Sequence, residues 1–416
     1  MMIRIKIDKL VYIIAAFMLL TAVPSMGQNT PSLENINQAL RYSRYSRISP
    51  KIIPVSRGDR DFRLQMVVEK IEEDPDFNDY EFYYAILYSF SEEIGEVNLI
   101  RLNESDLRFD TDRHYYFEKN IQIPEDRKTA FALMKVKDIR QGDEYYFHTD
   151  LISPFVETLP EFGAYFGNDV PFDQNFLNSG DALIFKGGRN VSLHHFYYPQ
   201  QFNVPLPPME TKPAAVPREI TVEDEGSFLI NVPKTFEKEG YYFIQADTTK
   251  STGMVVKTTS EAYPRVKDWE QMIEMVVYIS TRKEHETLMN AEDKKKALDQ
   301  YWISVTKDEA TSKELIREYF RQIEFANILF TDFRDGWKTD RGMVYTVMGP
   351  PLEVYFQMER EIWIYPVMDS NSKLTFTFAR VRNIFTSDYY TLNRSRAYQP
   401  EWFKKITTWR SGRMVF

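Results

Sequence analysis

The spacing of apolar residues changes at Pro264, and that change constrains the fold more than any other feature. Ahead of it, short Tyr- and Phe-rich runs partly alternate with polar residues and are punctuated by Gly, Pro, Asp and Asn. Beyond it, apolar residues first recur at intervals of three and four. The first pattern suits pleated strands and the second suits helices, so the chain divides into a β-rich part and a part that begins helical.

Within the β-rich part, strands are expected over 62–70, 80–90, 97–102, 114–122, 129–136 and 144–149. Glu72 to Asp79 forms the first turn. Short strands separated by turn signals predict an antiparallel sandwich. Ser153-Pro154 opens a second block, with strands at 182–186, 192–198, 226–231, 240–247 and 253–258. The Pro-rich run from Val204 to Pro217 interrupts it and is expected as an exposed crossover or loop, because proline breaks a ladder. The 26 Tyr and 30 Phe suit half-buried strands.

Helices are expected over 269–279, 291–302 and 312–329, the last capped by Thr311 or Ser312. Strands follow at 343–348, 361–365 and 374–378, with Gly349-Pro350-Pro351 as a turn and 352–358 extended. The length allows two or three domains.

At the N-terminus, Arg4, Lys6 and Lys9 precede an apolar run from Leu10 to Ala22 and small residues around Ser25 and Gly27. This reads as an export signal cleaved before Gln28, since the run is short for a membrane span. Residues 28–57 read as a polar N-terminal extension with a short helix around 33–45. There is no cysteine, which excludes a lipid-modified N-terminal Cys, disulfides and thiolate chemistry. A formal net charge of -9 argues against nucleic acid or anionic lipid as the main partner. Lys294 to Lys296 and the group Lys404, Lys405, Arg410 and Arg413 are expected as solvated faces.

Between the helices and the following β structure stands Asp335-Gly336-Trp337-Lys338-Thr339-Asp340-Arg341-Gly342. Glycine there permits positive φ or close backbone approach, while Thr and Asp can accept backbone N–H bonds. The stretch resembles the signature of the GWxTD-domain family of bacterial envelope proteins. Further matches are Asn290-Ala291-Glu292, Tyr301-Trp302, Glu314 to Arg321, Phe325-Ala326, Gly349-Pro350-Pro351 and Glu361 to Tyr365. Leu352-Glu353 departs from the pattern, which places an acidic residue directly after the prolines. The resemblance spans about 266–385 and implies an exported envelope protein without specifying a reaction.

Trp337, Thr339, Asp340, Arg341 and Trp363 are therefore the candidate binding residues. One reading makes Trp337 a stacking platform, with Asp340 and Arg341 holding hydroxyls or a carboxylate. The other makes Asp340 a backbone acceptor, Trp337 a plug and Arg341 a loop tie. A solvent-open cleft would favour the first, and burial with satisfied hydrogen bonds the second. Trp363 and Tyr365 share one strand face with Glu361, which suits core packing or an aromatic platform. His194 and His195 are adjacent and face opposite ways on a strand, so no metal site is expected. Asp74, Asp76 and Asn78 begin like a calcium loop but lack its glycine and closing glutamate. Gly187-Gly188-Arg189-Asn190 reads as a hairpin turn rather than a phosphate loop. No catalytic constellation or cofactor motif is evident.

The expected organisation is a signal peptide (1–27), an extension (28–57), antiparallel Ig-like β-sandwich modules (58–152 and 153–262) and a GWxTD-like α+β domain (263–416). The expected role is non-enzymatic, periplasmic or at the cell surface, with an envelope protein as partner and no membrane span after cleavage. A glycan-binding module or hydrolase built on Trp337, Asp340 and Arg341 is the alternative.

Overall fold

In the computed structural model, residues 30–413 are described except 72–74, 157–158, 168, 188–191, 212–219 and 368–370. The stretch read as an export signal, most of the 187–190 turn, the start of the calcium-like loop and part of the Pro-rich run thus lie outside the described residues.

Period-two runs form strands β1 (Ile48–Gly58), β2 (Asp61–Lys70), β3 (Tyr80–Leu87) and β4 (Ile100–Leu102). They continue as β5 (Leu107–Asp110), β6 (His114–Gln122), β7 (Ala130–Asp138) and β8 (Glu144–Ile152). One sheet has the order β1-β2-β6-β5 and the other β4-β3-β7-β8. Phe62, Leu64, Met66 and Val68 face Phe82, Met134 and Val136 in the core between them. β1 starts inside the stretch read as the extension. Its Pro50 and Pro54 obscure the alternation, yet an edge strand tolerates them, and Ile48, Ile52 and Val55 are buried.

The second module holds β9 (Gly163–Tyr165), β10 (Leu177–Asn178), β11 (Ala182–Lys186) and β12 (Ser192–Tyr198). β13 (Asp224–Leu229), β14 (Pro233–Thr235), β15 (Gly240–Gln245) and β16 (Met254–Thr259) complete it. Its sheets run β10-β16-β15-β12-β13 and β14-β11-β9, around a core that includes Phe185, Phe236, Tyr242 and Ile244.

Beyond Pro264 come α1 (Trp269–Met275), α2 (Arg282–Met289), α3 (Lys294–Thr306), α4 (Glu309–Phe330) and α5 (Asp340–Met348). The antiparallel sheet β17 (Glu353–Gln357), β18 (Arg360–Pro366), β19 (Lys373–Arg380) and β20 (Tyr390–Leu392) follows, and α6 (Gln399–Arg410) closes the domain. The mixed class holds: β sheets first, then an α+β domain.

Three local expectations are corrected. Residues 343–348 belong to helix α5 and not to a strand. Met343, Val344, Tyr345 and Val347 are all fully buried, and a helix covered on every side shows no amphipathic period. Helix α4 begins ahead of Thr311, because Asp308 is the cap and accepts the Thr311 N–H at 2.7 Å. The helix expected over 33–45 is reduced to a 3₁₀ turn, Ala39–Tyr42.

Residues 30–47 form a strap that binds both the first module and the α+β domain. Leu33, Ile36 and Tyr42 share a core with Phe131 and Leu133 of β7 and with Val354 and Trp363. Gln38 N–H donates to the Val354 carbonyl at 2.8 Å, and Asn37 Oδ1 accepts Val354 N–H at 2.9 Å, so the strap covers the edge strand β17. β7 is continuously apolar from Ala130 to Met134 because its sheet is packed on both faces there. The Asp150–Arg380 ion pair, at 2.9 Å with both side chains buried, ties β8 to β19. Asn175 donates to the Ile328 carbonyl at 2.9 Å and links the second module to α4.

Candidate functional site

The signature occupies the turn between α4 and α5, and its two glycines are required by close approach. Neither has a positive φ. A Cβ on Gly336 would stand 2.1 Å from the Ala326 carbonyl oxygen of α4, and one on Gly342 would stand 1.9 Å from the Gly336 oxygen. The loop therefore lies directly on the α4 backbone. Asn327, buried in α4, receives it: its Oδ1 accepts Trp337 N–H at 3.1 Å, while its amide donates to the Pro264 carbonyl at 3.0 Å. Thr331 Oγ1 accepts Gly336 N–H at 3.1 Å.

Each candidate residue then takes a defined place. Thr339 caps α5, accepting Gly342 N–H at 2.9 Å and donating to the Gly336 carbonyl at 2.7 Å. Trp337 is 1 % exposed and packs edge-on against Tyr278, whose hydroxyl donates to the Trp337 carbonyl at 2.6 Å. Asp340 is 7 % exposed. Its carboxylate accepts Leu392 N–H of β20 at 2.7 Å and Arg394 at 2.6 and 3.1 Å. Arg394 in turn donates to the Leu206 carbonyl at 2.9 Å, which carries the Asp340 anchor to the Pro-rich segment.

Arg341 turns to the other side of α5. It donates to Glu361 at 3.1 Å and to the Asp388 carbonyl at 3.0 Å, and it lies over the Tyr390 ring at 4.6 Å. Glu361 is wholly buried on β18 and also accepts Trp363 Nε1–H at 2.6 Å and the Tyr42 hydroxyl at 2.7 Å. Burial disfavours the charge on Arg341, but Glu361 together with Tyr42, Asp388 and Tyr390 outweighs it, and the guanidinium pKa is raised. Burial, then the Glu361 charge, push the Tyr42 hydroxyl well above its ordinary value and keep it a donor.

Trp363 thus joins Arg341 through Glu361, whereas Trp337 and Asp340 lie in separate contacts. The five candidates do not converge on a common opening. Glu361, Asn327, Arg394 and Tyr42 complete the arrangement, and sequence reasoning did not assign them. Glu361 had one signal, its register with Trp363 and Tyr365 on the inward face of a strand. Tyr42 had none.

A polar cleft of about 100 Å³ borders the signature: Asp335, Trp337 and Lys338 line it, together with Lys257 and Glu274. Its charges pair as Lys257–Asp335 at 3.4 Å and Lys338–Glu274 at 2.9 Å. Among the described residues, no group of three or more His, Asp or Glu side chains is arranged to hold a metal ion. Nor is any helix among them long and apolar enough to cross a membrane. Of the basic clusters, Arg410 pairs with Glu284 at 2.7 Å and joins α6 to the capping box of α2.

Residues 240–411 match the family model of the GWxTD domain. This match begins upstream of the α+β domain and takes in β15 and β16 of the second module. A comparison with curated proteins gave no match.

Proposed function

We propose, from the premise that this chain belongs to the GWxTD domain-containing family, that it is an exported, non-enzymatic cell-envelope protein that binds another protein or assembles into a complex. The observation that carries the reading is the burial of Trp337, Asp340 and Arg341 with their polar groups engaged inside the fold. A stacking site for sugars needs an open aromatic face, and a general acid or base needs access to its substrate. The signature instead binds α4, β18, β20 and the Pro-rich segment together. In this reading the α+β domain is a rigid base, and recognition falls to the outer surfaces of the chain. The leader read in residues 1–27 supports export to the periplasm or the cell surface.

A cross-linked pull-down from the native envelope, with the full chain as bait, tests this reading. The expected result is a specific protein that forms a complex of defined stoichiometry with the purified chain in gel filtration. Recovery of glycan without protein, or turnover of a glycan by the purified chain, would overturn it.

A further inference from the structure

The strap does more than cover an edge strand. Together with β1, β8 and α4 it encloses a cavity of about 250 Å³. Leu40, Ile48, Phe325, Leu329 and Phe330 give it apolar walls. Ile71 and Ile328 also line it and are 55 % and 41 % exposed, so its entrance is apolar as well.

The charges around this cavity do not all cancel. Arg341 is held by Glu361, and Asp332 is held by Arg334 at 2.6 Å. Asp388 faces Arg380 at 3.9 Å, and Glu69 is exposed on the rim. Arg41 and Lys51 make no contact ion pair: among the described residues, no carboxylate lies within 4.0 Å of either cation. Arg41 acts on Asp388, and Lys51 on Asp173, only at longer range. Lys51 donates to the Asp173 carbonyl, a neutral acceptor. Arg41 rests on the rings of Phe147 and Phe356, at 4.2 and 5.2 Å. An apolar chamber with a few polar groups at its boundary is the usual form of a small-molecule site.

We infer that this cavity binds a free single-chain amphiphile with an anionic carboxylate head, its hydrocarbon tail against Phe325, Leu329 and Phe330 and its head at Arg41 and Lys51. Tail burial removes apolar surface from water, and the head supplies the carboxylate contact these cations lack. This inference goes beyond the protein-binding role and does not depend on it.

Calorimetric titration of the full chain with decanoate below its micellar concentration is the test, with decanol and decyltrimethylammonium as neutral and cationic controls. Decanoate is expected to bind most tightly and the cation least. Arg41→Gln should weaken decanoate by about tenfold while changing decanol little. Ile328→Trp, at a partly exposed position, should block both ligands while the circular dichroism spectrum stays unchanged. If that variant misfolds, Ile71→Trp at the other side of the entrance serves in its place. Absence of saturable decanoate binding, equal affinity for all three amphiphiles, or binding unaffected by the blocking variant would overturn the proposal.

Discussion

The Tyr42 hydroxyl donates to the Glu361 carboxylate at 2.7 Å, joining two residues 319 positions apart. The Tyr42 carbonyl also accepts the Tyr345 hydroxyl at 3.0 Å, and its ring lies 5.1 Å from Phe330 and 5.2 Å from Trp363. The strap is therefore part of the α+β core, although it lies outside the segment that matches the family model.

Replacing Tyr42 by Phe keeps the ring contacts and removes one donor from a buried carboxylate. A loss of about 1–3 kcal/mol is expected in urea denaturation. Deleting residues 30–47 should have a larger effect, exposing the edge of β17 and raising binding of a hydrophobic dye. A deletion variant with unchanged stability would show that the strap is dispensable.

Glu361→Ala leaves the Arg341 charge without its carboxylate and the Tyr42 and Trp363 donors without their acceptor. The expected cost is about 3–5 kcal/mol. Arg341→Met combined with Glu361→Leu should cost less than the two changes summed, because the pair removes both charges together. A double-mutant cycle measures the difference, and a coupling energy near zero would contradict the ion pair.

Gly336→Ala and Gly342→Ala should each destabilise the chain by about 3 kcal/mol or more, since the added methyl meets a backbone oxygen that cannot move independently of α4 or the loop. Gly95→Ala is the control. A Cβ there meets nothing closer than 3.8 Å, and a change within about 0.5 kcal/mol is expected. Thermal melts of the three variants make the comparison.

His148 gives a pH-dependent signature. It lies between Phe90 and Phe356, with Nδ1 3.3 Å from Gln38 Oε1 of the strap. Burial, and then Arg41 and Arg380, lower its pKa from 6.5 to about 3. Between those values the unfolded chain binds a proton that the folded chain refuses, so this residue's stabilising contribution is complete above pH 6.5 and falls as the pH drops. The slope is about 1.4 kcal/mol per pH unit within that window. His148→Phe should flatten the dependence of stability on pH there relative to the unchanged chain. Parallel curves for the two proteins would show that His148 titrates normally.

The helical spacing of Leu315, Tyr319, Ile323 and Ala326 was legible because that helix has one buried face. The strand at Phe62 to Val68 was legible because Phe62, Leu64, Met66 and Val68 alternate, although Gln65 and Val67 are buried on the other face. The run 343–348 was not, since burial on all sides removes the period that separates helix from strand. The candidate site divides the same way. Gly336, Thr339 and Asp340 read as a special loop from residue type alone. Glu361 was visible only through its register with Trp363, and Arg394 and Tyr42 carry no local mark.

Taken by itself, the sequence determined the order of β and helical parts, the lack of cysteine chemistry and the position of the signature. These depend on local periodicity and composition. Tertiary structure decided that the signature faces inward, that residues 30–47 complete a distant domain, and which buried charges meet. Ion pairs and edge coverings between segments hundreds of residues apart depend on how packed layers meet in space, and the side-chain pattern of neither segment encodes its partner.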